Sequence, residues 1–197
     1  MIYLYYFYHK LEEWASLTHA LETILIGMIM TSVSDMETRY YLAVILLCNN
    51  AVYFCLDFRD ELSLSDKIHH LLAVLTCYYA LLQVPNHQTV FIAQLSSLLE
   101  LTGPYWTGLR VQLKESKQIT VPKWYNKTIA GIFFICWFIP IRLMVFPYMV
   151  YFEGSRVGIS KEALACLFFP TMSVNCYWAF LLIKGTIKAL FLRDKNK

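Results

Sequence analysis

Apolar residues run along this chain in six blocks, near Trp14 to Ser34, Tyr40 to Asp57, Ile68 to Val84, Thr89 to Leu109, Thr128 to Tyr151 and Ala163 to Ile183, with short polar stretches between them. A helix of about 20 apolar residues crosses the ~30 Å hydrocarbon core of a bilayer. The pattern therefore predicts an all-α polytopic membrane protein with six transmembrane helices. The longest polar connection, Arg110 to Lys127, is too short and too charged to bury a core of its own, so residues 1–197 read as a single domain.

Basic residues test the span count, because cytosolic loops beside membrane helices carry an excess of Lys and Arg. With six spans, thirteen of the 17 basic residues fall on one side: Lys10, Arg59 and Lys67, the group from Arg110 to Lys127, and the group from Lys184 to Lys197. The other side holds Arg39, Arg156 and Lys161, and Arg142 is left inside a span. Both termini are thereby expected in the cytosol. Composition agrees, with 58% hydrophobic and 16% charged residues against roughly 45–50% and 25% in soluble domains. The net charge of +3 comes from loops suited to anionic headgroups and offers nothing for nucleic acid.

Residues 1–13 are rich in tyrosine and suit a headgroup interface; they lack the basic start and small-residue site of a cleaved signal peptide. The six cysteines lie in or beside apolar stretches without paired spacing, which predicts packing rather than metal or redox roles. Residues 188–197 form a basic cytosolic tail in which Lys195 resembles part of a dilysine retrieval signal, with Arg193 where the first lysine would stand.

Ionisable groups at membrane depth are costly and point to function. The pair His69-His70 opens the third apolar block, and Asp66 lies three and four residues before them, within reach of either imidazole on a helix. Ser65 or Asp66 suits the N-cap. His69 shares its face with Ala73, Thr76, Ala80 and Gln83, a small and polar strip that predicts His69 as the inward residue; His70 is followed by Val74, Cys77 and Leu81. An imidazole oriented by a carboxylate can act as general base or acyl acceptor; the alternative is a pair of packed histidines. Glu100 sits among Ala93, Ser96, Ser97, Gly103, Pro104 and Thr107, small or polar residues suited to close helix contact or to a cavity. Gly103-Pro104 should kink that helix and free a carbonyl. Arg142, between Pro140 and Pro147, is the complementary buried cation. Glu100 and Arg142 are either a structural ion pair or two walls of a polar cavity that recruits a lipid headgroup or acyl carbonyl. Asn175 and Trp178 share a face of the last span: Asn175 suits an interhelical hydrogen bond, and Trp178 with Lys184 suits anchoring. His19, Glu22 and Asp57, near span ends, face either inward or water.

Five histidines, two of them adjacent, are too few for di-iron histidine boxes. There is no His-Glu-x-x-His and no Walker-type loop, so no cofactor or metal is expected. The ordered series Asp66-x-x-His69-His70, Glu100-x-Thr102-x-Pro104 with Arg110, a Pro-flanked Arg142, then Asn175-x-x-Trp178 and Lys184 resembles the TLC domain family, over about Ala20 to Ile187. That family includes ceramide synthases, the translocating-chain-associating membrane protein and small lipid-homeostasis proteins. The resemblance implies a barrel-like bundle around a central cavity holding lipid or an acyl chain, usually in the endoplasmic reticulum. It makes His69, His70 and Asp66 the candidate catalytic residues, and Glu100, Arg142, Asn175 and Trp178 the candidate lipid-binding ones. The stretch Ile92 to Leu99 lacks the His-Asp and further Asp that ceramide synthases carry before the glutamate. The likeness is therefore to the small TLC-domain proteins, whose roles concern membrane lipid composition and are often not enzymatic. The expected function is to bind, sense or process a membrane lipid. The alternatives are an accessory subunit with protein partners in the membrane and a divergent sphingolipid N-acyltransferase.

Overall fold

A computed structural model describes residues 12–58, 63–82, 84–103, 131–132 and 135–191. Among these residues the chain is all helix, without strands: α1 Glu12–Ser32, α2 Met36–Leu56, α3 Leu64–Leu82, α4 Asn86–Glu100, α5 Ile135–Arg156 and α6 Lys161–Phe191. Three of them, Met36–Leu56, Ile135–Arg156 and Lys161–Lys184 within α6, are long and apolar enough to cross a membrane by length and composition. The other three carry polar groups within their length: His19 and Glu22 on α1, Lys67 and the histidine pair on α3, Gln88, Gln94 and Glu100 on α4. The N-terminal aromatic segment as far as residue 11, the basic stretch from Arg110 to Lys127 and the tail from Arg193 lie outside the described residues.

Capping moves the helix starts upstream of the hydropathy boundaries. Asp35 accepts a 2.7 Å bond from the Thr38 amide, so the polar turn from Met36 to Arg39 is helical although the apolar block begins at Tyr40. At α3 the cap is Ser63, neither Ser65 nor Asp66: the Asp66 amide donates to Ser63 Oγ at 3.3 Å, and Ser63 Oγ donates to the Asp66 carboxylate at 2.7 Å, a reciprocal arrangement akin to a capping box. In the fourth block regular helix is interrupted after Glu100 by a turn at Leu101 and Thr102, with Gly103 helical again; residues 104–109 lie outside the described residues.

In α5 the prolines break the regular ladder. Pro140 and Pro147 each withhold an N–H, and the helix takes two π-helical runs, Ile139–Val145 and Met149–Glu153, with the Phe146 amide bonded to the Ile141 carbonyl. Such π segments often mark functional sites. The turn into α6 contains Gly158 at φ +80°, a left-handed conformation that glycine adopts at no steric cost. The Val157 carbonyl before it meets Nε2 of His87 at 3.0 Å and accepts from Gln88 at 3.2 Å, which pins this turn to the start of α4.

The helices touch in the order α1, α2, α3, α6, α5, α4 and back to α1, and α4 also packs across this series on α2 and α3. Met30, Leu46, Leu47, Ala80, Phe91, Ile92 and Phe146 form the main apolar core. Large apolar side chains also point outward, among them Leu21, Leu25 and Met28 on α1, Leu71, Leu75 and Tyr78 on α3, and Phe169 and Phe180 on α6. Polar groups are instead drawn inside: His19, Thr23, Asn50, Asp57, Thr102, Arg142 and Asn175 are all buried. Apolar outside and polar within is the arrangement expected when lipid is the solvent, because hydrocarbon gives no reason to hide a leucine and a strong reason to hide an amide. Thr23 donates to Asn50 Oδ1 at 2.9 Å, and Asn50 Nδ2 donates to Ser96 Oγ at 2.7 Å, tying α1, α2 and α4 together. Of the cysteines, Cys77 is buried, while Cys48, Cys55, Cys136, Cys166 and Cys176 are exposed and all six are free, so the expected packing role holds for Cys77 alone.

Gly27 sets the approach of α1 to α4, since a Cβ there would collide with the side chain of Ser97. Gly27→Ala is expected to lower the melting temperature of the detergent-solubilised protein, and Ser97→Gly added to it to recover most of the loss. A non-additive cycle of this kind marks direct contact; additive losses would count against it. At Asp35, the Thr38 hydroxyl and amide hold the carboxyl below its ordinary range. The cap then contributes fully above the unfolded carboxyl pKa of about 3.9 and is lost as pH falls through the lower folded value. Asp35→Ala should lower stability at neutral pH and flatten its acid dependence in that window, as read by thermal melts across pH.

Candidate functional site

The buried cation of α5 is held by neutral acceptors. Arg142 is 5% exposed, and its Nε donates to Thr102 Oγ1 at 2.9 Å, one terminal nitrogen to Asn175 Oδ1 at 3.2 Å and the other to the Leu99 carbonyl at 2.9 Å. The guanidinium also lies 5.3 Å from the Phe138 ring centre and 5.6 Å from that of Trp178, where the ring faces stabilise positive charge. The break in α4 makes this possible. In the turn after Glu100 the Leu99 carbonyl accepts from Arg142 at 2.9 Å and from the Thr102 hydroxyl at 3.0 Å, and the Leu101 carbonyl accepts from the Trp137 indole at 3.1 Å. The carbonyl that Pro104 would free is that of Glu100, four residues before it, and Pro104 lies outside the described residues.

Arg142 borders a pocket of about 340 Å³ to which all six helices contribute. Ser16 and His19 come from α1, Tyr53, Phe54 and Asp57 from the end of α2, Asp66, His69 and His70 from α3, Glu100 with Thr102 and Gly103 from the end of α4, Phe138 from α5, and Trp178 from α6. Of the residues singled out in the sequence, His69, His70, Asp66, Glu100, Arg142 and Trp178 line it; Asn175 stands behind Arg142 as its acceptor. A narrower, apolar pocket of about 80 Å³ shares Phe54, His69 and Glu100 with the first and continues between Leu72, Phe91, Phe146 and Leu164.

Both histidines face inward: His69 lines both pockets, on the inward side its helical face predicts, and His70 is drawn inside as well. His70 is the more buried and faces the Asp57 carboxylate across 3.7 Å. His69 is half-buried, stands edge-on to Trp178 and Phe54 at ring separations of 5.1 and 5.5 Å, and has no hydrogen-bond partner among the described residues. Asp66 is turned to Ser63 and orients neither imidazole. The reason lies in the packing of α3. Its buried line is His70, Cys77 and Ala80, set against α2, whose last residues bring Asp57 and Tyr53 to His70. Glu100 and Arg142 do not form an ion pair: the arginine is satisfied by Thr102, Asn175 and Leu99, while Glu100 faces the pocket without a hydrogen bond among the described residues. Trp178 faces the pocket and donates to Ser65 Oγ at 3.3 Å, so it bridges α6 to α3 rather than anchoring the span at an interface. Lys184 lies exposed over the Phe180 ring at 5.9 Å.

His19 and Asp57, left open by the sequence between inward and water-facing positions, both line the pocket. His19 stacks on Tyr53 with ring centres 3.8 Å apart and planes 4° from parallel, and Tyr53 donates to Asp57 at 3.4 Å. Adjacent amides at Asn49 and Asn50, in the middle of an apolar block, were the available sign of an interior tie; Asn49 reaches Glu22 at 3.4 Å. Chemically the pocket offers an acceptor-rich wall, Asp57, Asp66 and Glu100, facing one fixed cation, with an imidazole open to whatever enters. No group of three or more His, Cys, Asp or Glu among the described residues is arranged to hold a metal ion.

Thr102→Val keeps the volume of the side chain but strands the Arg142 Nε–H, and an unsatisfied buried donor costs about 1–3 kcal/mol. We expect a lower melting temperature for Thr102→Val. Arg142→Lys should be at least as damaging, because a single ammonium cannot reach three acceptors in a fixed fork. An unchanged melt for both would show that Arg142 does not hold the helices. Comparison of the chain with models of protein families, with curated proteins and with solved structures finds no match.

Proposed function

We propose that the chain is a TLC-like integral membrane protein of lipid homeostasis whose six helices all cross the bilayer, enclosing in a barrel-like bundle a central cavity that binds a lipid or acyl chain. The observation that carries this reading is the pocket lined from every helix, polar at the end of α2 and the break in α4 and apolar where it continues toward Leu164. That gradient matches an amphiphile, with few polar groups to orient one end and hydrocarbon along the other. The asymmetry of basic residues supports cytosolic termini, and the TLC resemblance supports the endoplasmic reticulum. An accessory subunit with a catalytically inactive bundle calls for an interior filled by side chains; the pocket counts against it.

A processing role, such as acyl transfer, is favoured by one feature: His69 faces the pocket beside Glu100 with its ring nitrogens free of hydrogen bonds among the described residues, as an acyl acceptor or base requires. Mass spectrometry of lipids extracted from the purified protein separates the readings. Retained lipid is expected in the wild type and depleted several-fold in Glu100→Gln, at unchanged helix content. A wild type that retains no lipid overturns the proposal. His69→Ala that keeps the lipid but abolishes a change in cellular lipid composition seen with the wild type would favour processing; an effect on retention alone would favour binding.

A further inference from the structure

We infer that the pocket selects a zwitterionic headgroup carried on a single acyl chain, its anionic group received by Arg142 and its ammonium by Glu100. This rests on the reading of the pocket as a lipid site. The guanidinium has five N–H donors, three of which are used on Thr102, Asn175 and the Leu99 carbonyl, all uncharged acceptors. Two N–H groups are left without a hydrogen bond among the described residues, and Glu100 attracts the charge only from beyond ion-pair distance. Glu100 follows Leu99 directly, lines the same pocket and forms no ion pair with that arginine. A Cβ at Gly103 would stand 3.0 Å from Glu100 Oε2, so the glycine leaves the carboxylate accessible. With Asp57 turned to Tyr53 and His70 and Asp66 turned to Ser63, the fold leaves Glu100 and Arg142 as the opposite charges that face one space without an ion pair. Charges withdrawn from water are costly until each is paired. An anion alone would pair Arg142 and leave Glu100 facing added negative charge, and a cation alone would do the reverse. A zwitterion satisfies both, and its ammonium gains from the Phe54 ring, which lines the same pocket.

The apolar pocket shares Phe54, His69 and Glu100 with the polar one and has about 80 Å³ against 340 Å³, room for the first few methylenes of one chain and not for two chains side by side. The acceptor site at Arg142 reads the negative group by hydrogen bonding, as arginine does for phosphate and carboxylate.

The test uses the full chain in a neutral detergent and competitors of equal chain length, read by native mass spectrometry: lysophosphatidylcholine as the zwitterion, an alkyl phosphate, an alkylamine, a monoacylglycerol and diacyl phosphatidylcholine. Lysophosphatidylcholine is expected to bind about tenfold or more tighter than each of the others, one or more steps of 1.4 kcal/mol. In Glu100→Gln it should fall to the level of the alkyl phosphate, whose own binding does not weaken. Equal binding of all single-chain competitors, or an alkylamine or alkyl phosphate that matches the zwitterion, overturns the inference while leaving lipid binding standing. Diacyl phosphatidylcholine binding as tightly overturns the single-chain assignment. No binding by any competitor, together with no retained lipid in the wild type, overturns both readings. Should Glu100→Gln fail to fold, the wild-type series decides alone.

Discussion

Burying one arginine among neutral hydrogen-bond acceptors, with Glu100 beyond ion-pair distance, is the constraint on which the rest of the structure turns. A guanidinium cannot shed its charge in a protein, so it must be surrounded by acceptors. Here they come from three directions: a threonine and a broken-helix carbonyl at the end of α4, and an asparagine on α6. Each acceptor requires its helix to stand at a particular height and rotation. Arg142 thus couples the break in α4, the π-helical turns of α5 and the register of α6. Neutral acceptors do this without cancelling the charge, and the positive field stays available to the pocket beside them.

The interior follows from the same solvent logic. Leucines and phenylalanines lose nothing by facing hydrocarbon, so amides, hydroxyls and imidazoles turn inward. They divide into two groups. Thr23, Asn50 and Ser96 satisfy one another and bind three helices, whereas His69 and Glu100 face open space with no such partners among the described residues. Polar groups of the first kind hold a bundle together. Those of the second kind are stable only if water or a ligand meets them, which is why the pocket rather than the amide tie reads as functional.

How much was legible in the chain depends on the residue. The helical blocks and the concentration of polar groups at one end of several of them were visible as hydropathy and spacing. Arg142, Glu100, His69, His70 and Trp178 stood out as costly or unusual groups in apolar runs, and they do share one pocket. Their pairing was not visible. Asp66 is the nearest carboxylate to the histidines along the chain, yet Ser63 takes it, and Asp57 reaches His70 from the preceding helix. Thr102 carries no hydropathy signal because a threonine is unremarkable in a membrane span; its role depends on the turn that places it before Arg142. Ser63, one residue before the first helical position, caps α3 by a local bond that a scan for apolar residues does not weigh.

Sequence alone determined what is governed by the bilayer and by local energetics: helix as the only structure, the approximate extent of each apolar block, and the expectation that stranded ionisable groups turn inward. These follow from desolvation costs that each residue carries wherever its neighbours lie. Tertiary structure decided who meets whom. Whether Glu100 pairs with Arg142 or faces it across a pocket, and which histidine receives a carboxylate, depends on helix rotation and height. Those are set by the sum of many weak contacts between segments far apart in the chain, such as Gly27 against Ser97. Periodicity along one helix names a face but not the partner that face will find.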